Sequence, residues 1–216
     1  MRRELHVRFC EGGGVKLPSA TRLVVGFEHR AEAERFLAEL RERFTKFGLE
    51  LHPDKTRLIE FGRFADRDRR RGGGGKPETF NFLGFTHSCT KTRAGKFTVL
   101  RQTMRKRWQA KLEEVKAELR RRLHDPVPEQ GTYLRSVVRG HIRYYGVPMN
   151  GQALNAFRYA VGWLWGRALR RRSQRHRTTA LRLRCLVSRW LPPPRICHPY
   201  PFVRLGVVTQ GGSRMR

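Results

Sequence analysis

Hydrophobic positions begin to recur with a clear period at Leu23. The run Leu23-Val24-Val25-Gly26-Phe27 is short and apolar, which predicts a buried strand, and Glu28-His29-Arg30 reads as a turn out of it. From 31 to 47, Phe36, Leu37, Leu40, Phe44 and Phe47 return at threes and fours, with acids early and Gly48 as the C-terminal stop. That spacing predicts an amphipathic helix. Arg57-Leu58-Ile59-Glu60-Phe61 beside Gly62 predicts a second strand. Residues 63 to 78 read as a charged loop containing Gly72 to Gly75, and Phe80-Asn81-Phe82-Leu83-Gly84-Phe85 as an alternating aromatic strand. Lys96 to Leu100 is placed to pair near it. Ahead of all this, residues 1 to 22 are Gly-rich around Gly12 to Gly14 and predict a poorly ordered start.

Past residue 100 the period changes. Met104, Trp108, Leu112, Val115, Leu119 and Leu123 predict a long helix over 102 to 124, broken by Asp125-Pro126-Val127-Pro128. A second helix is expected over 130 to 145, with Leu134, Val137, Val138 and Ile142 inward. A third is expected over 151 to 172, with Leu154, Phe157, Val161, Leu164 and Leu169 inward. The short connections favour antiparallel neighbours. A last helix near 178 to 190 begins at a capping Thr178 or Thr179 and stops before Pro192-Pro193-Pro194, leaving a basic tail over 191 to 216. The predicted class is α+β: a small α/β segment over 23 to 100, then a mostly helical basic bundle over 101 to 190.

Charge gives this architecture a partner. The chain holds 47 Lys and Arg against 18 Asp and Glu, a formal net charge of +29 that favours a polyanion. The excess is uneven: residues 1 to 100 carry 21 basic and 13 acidic side chains, residues 101 to 216 carry 26 and 5, and no carboxylate follows Glu129. Most of the cations are Arg, whose planar fork grips phosphate bidentately and stacks on bases. Nucleic acid is therefore the expected partner. An anionic membrane surface would want a broad apolar face beside the charge, and the apolar positions here are better used as core.

Other function classes find little support. Cys10, Cys89, Cys185 and Cys197 lie far apart with no CxxC spacing, so they read as reduced thiols rather than a zinc site or disulfide framework. No apolar run reaches the roughly 18 residues needed to cross a bilayer and the start lacks a signal-peptide core, so a cytoplasmic protein is expected. In the Gly72 to Lys76 stretch, Pro77 stands where a phosphate loop needs Ser or Thr. Asp66 and Asp68 read as a surface pair. His52, His87, His141 and His198 are scattered, and Ser136 has no evident base, so no catalytic or metal-ligating residues are assigned.

Four stretches in order carry a resemblance: Val25-Gly26-Phe27-Glu28 with its helix; Gly48-Leu49-Glu50-Leu51-His52-Pro53-Asp54-Lys55-Thr56; Phe82-Leu83-Gly84-Phe85; and Leu134-Arg135-Ser136-Val137-Val138-Arg139-Gly140-His141-Ile142-Arg143-Tyr144-Tyr145. From Leu23 onward the chain resembles the C-terminal part of group II intron-encoded reverse transcriptases, which belong to mobile genetic elements. The resemblance implies a truncated, palm-like remnant over 23 to 100 and the thumb with the maturase-specific X domain over 101 to 190. In that family a Tyr-Ala-Asp-Asp tetrad before the Val24-Val25-Gly26-Phe27 strand helps hold two Mg²⁺ ions. Ser19-Ala20-Thr21-Arg22 stands there instead, and a guanidinium would repel the metal. The segments for template and incoming nucleotide would lie upstream, so the chain is expected to be a fragment.

What the resemblance implies for function is RNA binding that stabilises folded intron RNA for splicing, with no polymerase catalysis of its own and no cofactor. The alternative is an RNA-directed DNA polymerase active only with a palm and fingers partner, in which case Mg²⁺ would enter the completed site; a third reading is a nonfunctional remnant. Expected partners are structured RNA, above all group II intron RNA, with DNA as a further partner and no membrane; the oligomeric state is left open. The RNA-binding candidates are Arg105, Lys106, Arg107, Arg139, Arg143, Tyr144, Arg170, Arg171, Arg172 and Arg175. For Tyr144, Trp163 and Trp165, packing in the core competes with base stacking. Lys55 and Gly84 match positions on the primer and template side of the family's site, where Gly would let backbone approach closely.

Overall fold

A computed structural model describes residues 3–8, 22–52, 56–172 and 179–200. The protein is α+β, with six strands and six helices among the described residues. It divides into two compact units, residues 1–100 and 101–216.

The first unit holds a three-stranded antiparallel sheet in the order β2-β1-β3, formed by β1 (Arg3–Arg8), β2 (Arg22–Phe27) and β3 (Arg57–Ile59). The register pairs Leu5 with Val25 on one side and with Leu58 on the other. Within the start expected to be poorly ordered, Arg3–Arg8 form β1, the central strand, while residues 1, 2 and 9–21 lie outside the described residues. Only a few residues alternate in Arg3–Arg8, and the partners that make them a strand are distant in sequence.

Helix α1 (Arg30–Thr45) packs on β1 and β2, with Ala33 fully buried and Phe36 against Phe27 at 5.2 Å between ring centroids. Gly48 takes φ +68° just past it, as a helix C-terminal glycine should. Phe47, expected inward, follows the last helical turn and is 71% exposed.

The loop expected over 63 to 78 instead contains a short helix, α2 (Ala65–Arg71). Asp66 and Asp68 sit in its first turn and Arg69 to Arg71 in its last, which suits the helix dipole at both ends. Asp66 pairs with Arg70 at 3.2 Å and Asp68 with Arg67 at 3.2 Å. The aromatic stretch at 80 to 85 is likewise not one strand. It is a hairpin of β4 (Phe80–Phe82) and β5 (Phe85–Lys91), reversed at Leu83 and Gly84 with φ of +45° and +79°. A two-residue reversal with both φ positive matches the twist of paired strands, and glycine adopts it without strain. Strand β6 (Phe97–Thr103) completes this second sheet in the order β4-β5-β6. Buried Phe61, just after β3, meets Phe80 edge-on at 5.0 Å, and the Gly62 N–H reaches Cys89 Sγ at 3.4 Å.

The second unit is a bundle of α3 (Arg105–Arg121), α4 (Val127–Tyr145), α5 (Gly151–Arg171) and α6 (Ala180–Trp190). The heptad-like apolar stripes meet in one core: Val115 and Leu119 from α3, Leu134, Val138 and Ile142 from α4, and Phe157, Val161, Trp165 and Leu169 from α5. Each such side chain contributes about 1.5–3 kcal/mol on leaving water. Pro128 falls in the first turn of α4, where its missing N–H costs nothing, so the helix begins earlier than the two prolines suggested. Thr179 caps α6 by accepting from the Arg182 N–H at 3.2 Å.

Two buried amides tie the bundle together. Gln130 accepts from Trp165 Nε1 at 2.9 Å and donates to the Arg122 carbonyl at 2.6 Å. Asn150 donates to Thr103 Oγ1 at 2.9 Å and to the Tyr145 carbonyl at 2.8 Å, and accepts from the Thr103 N–H at 3.1 Å. Helix α6 has no buried residue of its own and lies in space left by glycines. A Cβ on Gly131 would stand 2.4 Å from the Trp190 ring, and one on Gly166 would stand 2.6 Å from Leu183. Gly140, also in α4, faces open space. Gly131→Ala should therefore lower stability by about 1–3 kcal/mol through overpacking, whereas Gly140→Ala should raise it by about 0.5–1 kcal/mol through helix propensity. Urea titration followed by tryptophan fluorescence reads both, and equal shifts would contradict the assigned packing.

Candidate nucleic-acid interface

The acids of the bundle are confined to α3, the turn after it and the first turn of α4. Glu113 pairs with Lys116 at 2.9 Å, Glu114 with Lys111 at 2.8 Å, and Glu118 with both Arg121 and Arg122. Those hydrogen bonds from Arg121 and Arg122 hold the Glu118 carboxyl below its ordinary range. Helices α5 and α6 carry no carboxylate, and α4 carries only Glu129 in its first turn. Their arginines therefore look to carbonyls, rings or solvent.

Several are structural. Arg158 donates to the Leu191 carbonyl at 3.2 Å, and Arg135 reaches the Arg189 carbonyl at 3.0 Å while lying 4.9 Å over the Trp190 ring. Arg172, one of the expected RNA contacts, is half-buried and donates to the His124 carbonyl at 3.0 Å. The other described candidates are exposed: Arg105, Lys106 and Arg107 in the first turn of α3, Arg139, Arg143 and Tyr144 on α4, and Arg170 and Arg171 at the end of α5. Arg175 and Lys55 lie outside the described residues, as do Ser19, Ala20 and Thr21. Gly84 is the second residue of the β4–β5 reversal.

Only some of these come together. A groove of about 530 Å³ between α3 and α4 is lined by Arg107 and Lys111 on one side and by Ser136, Gly140, Tyr144 and Tyr145 on the other. His141 also lines it. Arg143 leaves α4 about 100° from Tyr144 and does not join the groove. Arg171 belongs to a second, smaller groove between α3 and α5, where Lys116, Arg120 and Arg167 surround a floor of Leu119, Leu123, Leu164 and Ala168. Trp165 is core, but Trp163 is 46% exposed with the Arg167 guanidinium 4.7 Å from its ring, and Tyr159 one turn earlier is 76% exposed.

Lys111, Arg120, Arg167 and Tyr159 were not among the expected contacts, and Trp163, weighed between core packing and base stacking, completes a Tyr159-Trp163-Arg167 stripe. The stripe was visible as an i, i+4, i+8 pattern, whereas the grooves depend on how two helices pack. The chain matches no family model and no curated protein. Its candidate site rests on geometry alone.

Among the described residues, no group of three His, Cys, Asp or Glu side chains is placed to hold a metal ion. No helix among them is long and apolar enough to cross a membrane. What the surface offers is cations beside accessible rings, the combination that takes phosphate and stacked bases.

His141 is strongly perturbed by its surroundings. It is 7% exposed and stacks on Phe157 at 3.6 Å between centroids, and its Nε2 is buried with no hydrogen-bond partner. Burial, aided by the Lys111 charge, pushes its pKa down to about 4 from 6.5. The unfolded chain then binds a proton that the folded chain refuses, so the stability His141 contributes is complete above about pH 6.5 and is lost as pH falls towards 4. We expect a loss of about 2 kcal/mol across that window, and a flatter profile for His141→Phe. Glu118 acts only at lower pH, as its carboxyl protonates. Urea midpoints at pH 7, 5.5 and 4.5 for both proteins check this, and parallel profiles would contradict it.

Proposed function

We propose that this protein is an RNA-binding, maturase-like fragment of a group II intron reverse transcriptase, acting by stabilising a folded RNA rather than by making or breaking bonds. The observation that carries the reading is the exposed arginine surface of α4 to α6, whose one carboxylate is Glu129 in the first turn of α4, beside accessible Tyr144, Tyr159 and Trp163. Folded RNA is recognised by shape, phosphate and 2′-hydroxyl contacts, with unpaired bases stacked on aromatic rings or guanidinium planes. A rigid bundle presenting both kinds of group supplies those contacts without carboxylates or metal. The palm-like reading of the first unit is supported by its antiparallel sheet with α1 packed on β1 and β2, and the fragment reading by the resemblance of the ordered motifs. A cytoplasmic site of action agrees with an RNA partner.

Binding of the full chain to a folded group II intron RNA should weaken steeply as salt rises, because each phosphate contact releases counterions. Arg139→Ala and Arg143→Ala should each reduce the slope of log affinity against log salt by about 1. Filter binding across a salt series measures this, with a duplex RNA of equal length as comparison. A nearly flat salt response would overturn the electrostatic basis, and equal affinity for the duplex would reduce the function to general polyanion binding.

A further inference from the structure

We infer that α5 carries a track for an unpaired stretch of RNA, in which two successive bases stack on Tyr159 and Trp163 and the adjoining phosphates meet Arg167, Arg171 and Arg120 in the groove between α3 and α5. This deepens the RNA-binding reading and rests on it.

The solvent face of α5 is built from rings and cations. Tyr159, 76% exposed, and Trp163, 46% exposed, follow one another at i, i+4 spacing, and Arg167 continues the line with its guanidinium 4.7 Å from the Trp163 ring centroid. Each step of four residues advances about 6 Å along the axis and turns only about 40°, so the three side chains share one side of the helix. Neither ring is enclosed by the bundle, and an aromatic face stacks on any base. Two bases held about 6 Å apart have been drawn off each other, since successive nucleotides of a B-form duplex strand rise by roughly 3.4 Å. An unpaired strand adopts that spacing and a duplex does not.

The line of rings runs into a cationic groove. Arg167, besides lying over Trp163, lines the groove between α3 and α5 together with Arg171, Arg120 and Lys116. Lys116 is held by Glu113 at 2.9 Å, and the other α3 acids, Glu114 and Glu118, pair with Lys111 and with Arg121 and Arg122. Helix α5 has no carboxylate. Arg120, Arg167 and Arg171 are thus exposed cations without an acid of their own, and a guanidinium fork fits a phosphate bidentately. At about 130 Å³ the groove is smaller than the roughly 300–1,000 Å³ of sites that enclose a small molecule, which suits a backbone passing along it. Its floor of Leu and Ala would also receive an acidic, leucine-bearing peptide, but the planar groups in line with it, two rings and a guanidinium, match bases better than aliphatic side chains. A cationic groove continuous with successive stacking rings is what a single strand requires.

Isothermal titration calorimetry of the full chain at pH 7 with octaadenylate and, separately, with inorganic polyphosphate of equal charge tests the track. Tyr159→Ala and Trp163→Ala should each weaken octaadenylate binding at least about fivefold and leave polyphosphate binding unchanged, and Trp163→Phe should restore most of the loss. Arg120→Ala and Arg171→Ala should weaken both ligands, and each should lower the slope of log octaadenylate affinity against log salt by about 0.7, the value for one phosphate of a single strand. If Trp163→Ala does not fold, Tyr159→Ala, at an exposed position, carries the same comparison. Octaadenylate binding that is absent or indifferent to both rings would overturn the track, and so would tighter binding of an acidic, leucine-bearing peptide. A parallel titration with folded group II intron RNA separates the two readings. Intron binding beside octaadenylate binding that ignores the rings rejects the track alone, and ring-dependent octaadenylate binding without intron binding keeps the track while rejecting the intron function.

Discussion

The hydrogen bond from Trp165 to Gln130 is the point on which the helical unit turns. Gln130 sits in the first turns of α4, reaches back to the carbonyls that end α3, and accepts from the indole of α5. One amide thereby fixes where α3 stops, how far α4 slides past it, and how deep α5 lies. Its polar atoms are fully buried, so each would lose about 1–3 kcal/mol if its partner were taken away. Shape specificity follows from that intolerance. Both grooves exist because α3 is held at set distances from α4 and α5, and a core of Leu and Val alone would allow neighbouring registers.

Charge is distributed to match. The carboxylates of α3 pair with cations about one turn away, so α3 is close to balance from Lys111 to Arg121. Helices α4 to α6 have no such balance, and their arginines divide into those that hold carbonyls, such as Arg135 and Arg158, and those left to solvent. The first kind builds the scaffold. The second kind makes a surface whose self-repulsion is relieved by a polyanion.

How much of this could be read from the sequence follows from the range of each interaction. Helices α3, α4 and α5 were legible because a period of 3.6 repeats over many residues and buries one stripe, so errors were confined to their ends. Strand β1 was not, since its partners lie across a Gly-rich segment and near residue 58, and six residues carry too little period to show it. The β4–β5 reversal was hidden by apolar residues running through a two-residue turn, where Leu83 adopts a positive φ that its side chain does not advertise. For the site, the excess of arginine was plain, and Arg107 and Tyr144 were both among the expected contacts. That they share a groove with His141 was not, because the imidazole's burial comes from Phe157 on another helix. The hydrogen bond of Arg172 was hidden likewise, because its carbonyl partner sits 48 positions earlier.

The seating of α6 shows that an interface can be specified by absent atoms. Gly131, Gly162 and Gly166 leave hollows filled by Trp190, Val187 and Leu183, so the docking instruction is written on the helices that receive α6 rather than on α6 itself. Such a code is silent to any measure of hydrophobicity or charge. It is also unforgiving in a way the arginine surface is not. An arginine moved by one turn can still find a phosphate, whereas a methyl at Gly131 would run into the Trp190 ring at 2.4 Å. Sequence drift in a chain built like this would erode its cationic face gradually and its glycine hollows hardly at all, and their survival in a diverged copy would be a record of the fold outlasting the memory of its ligand.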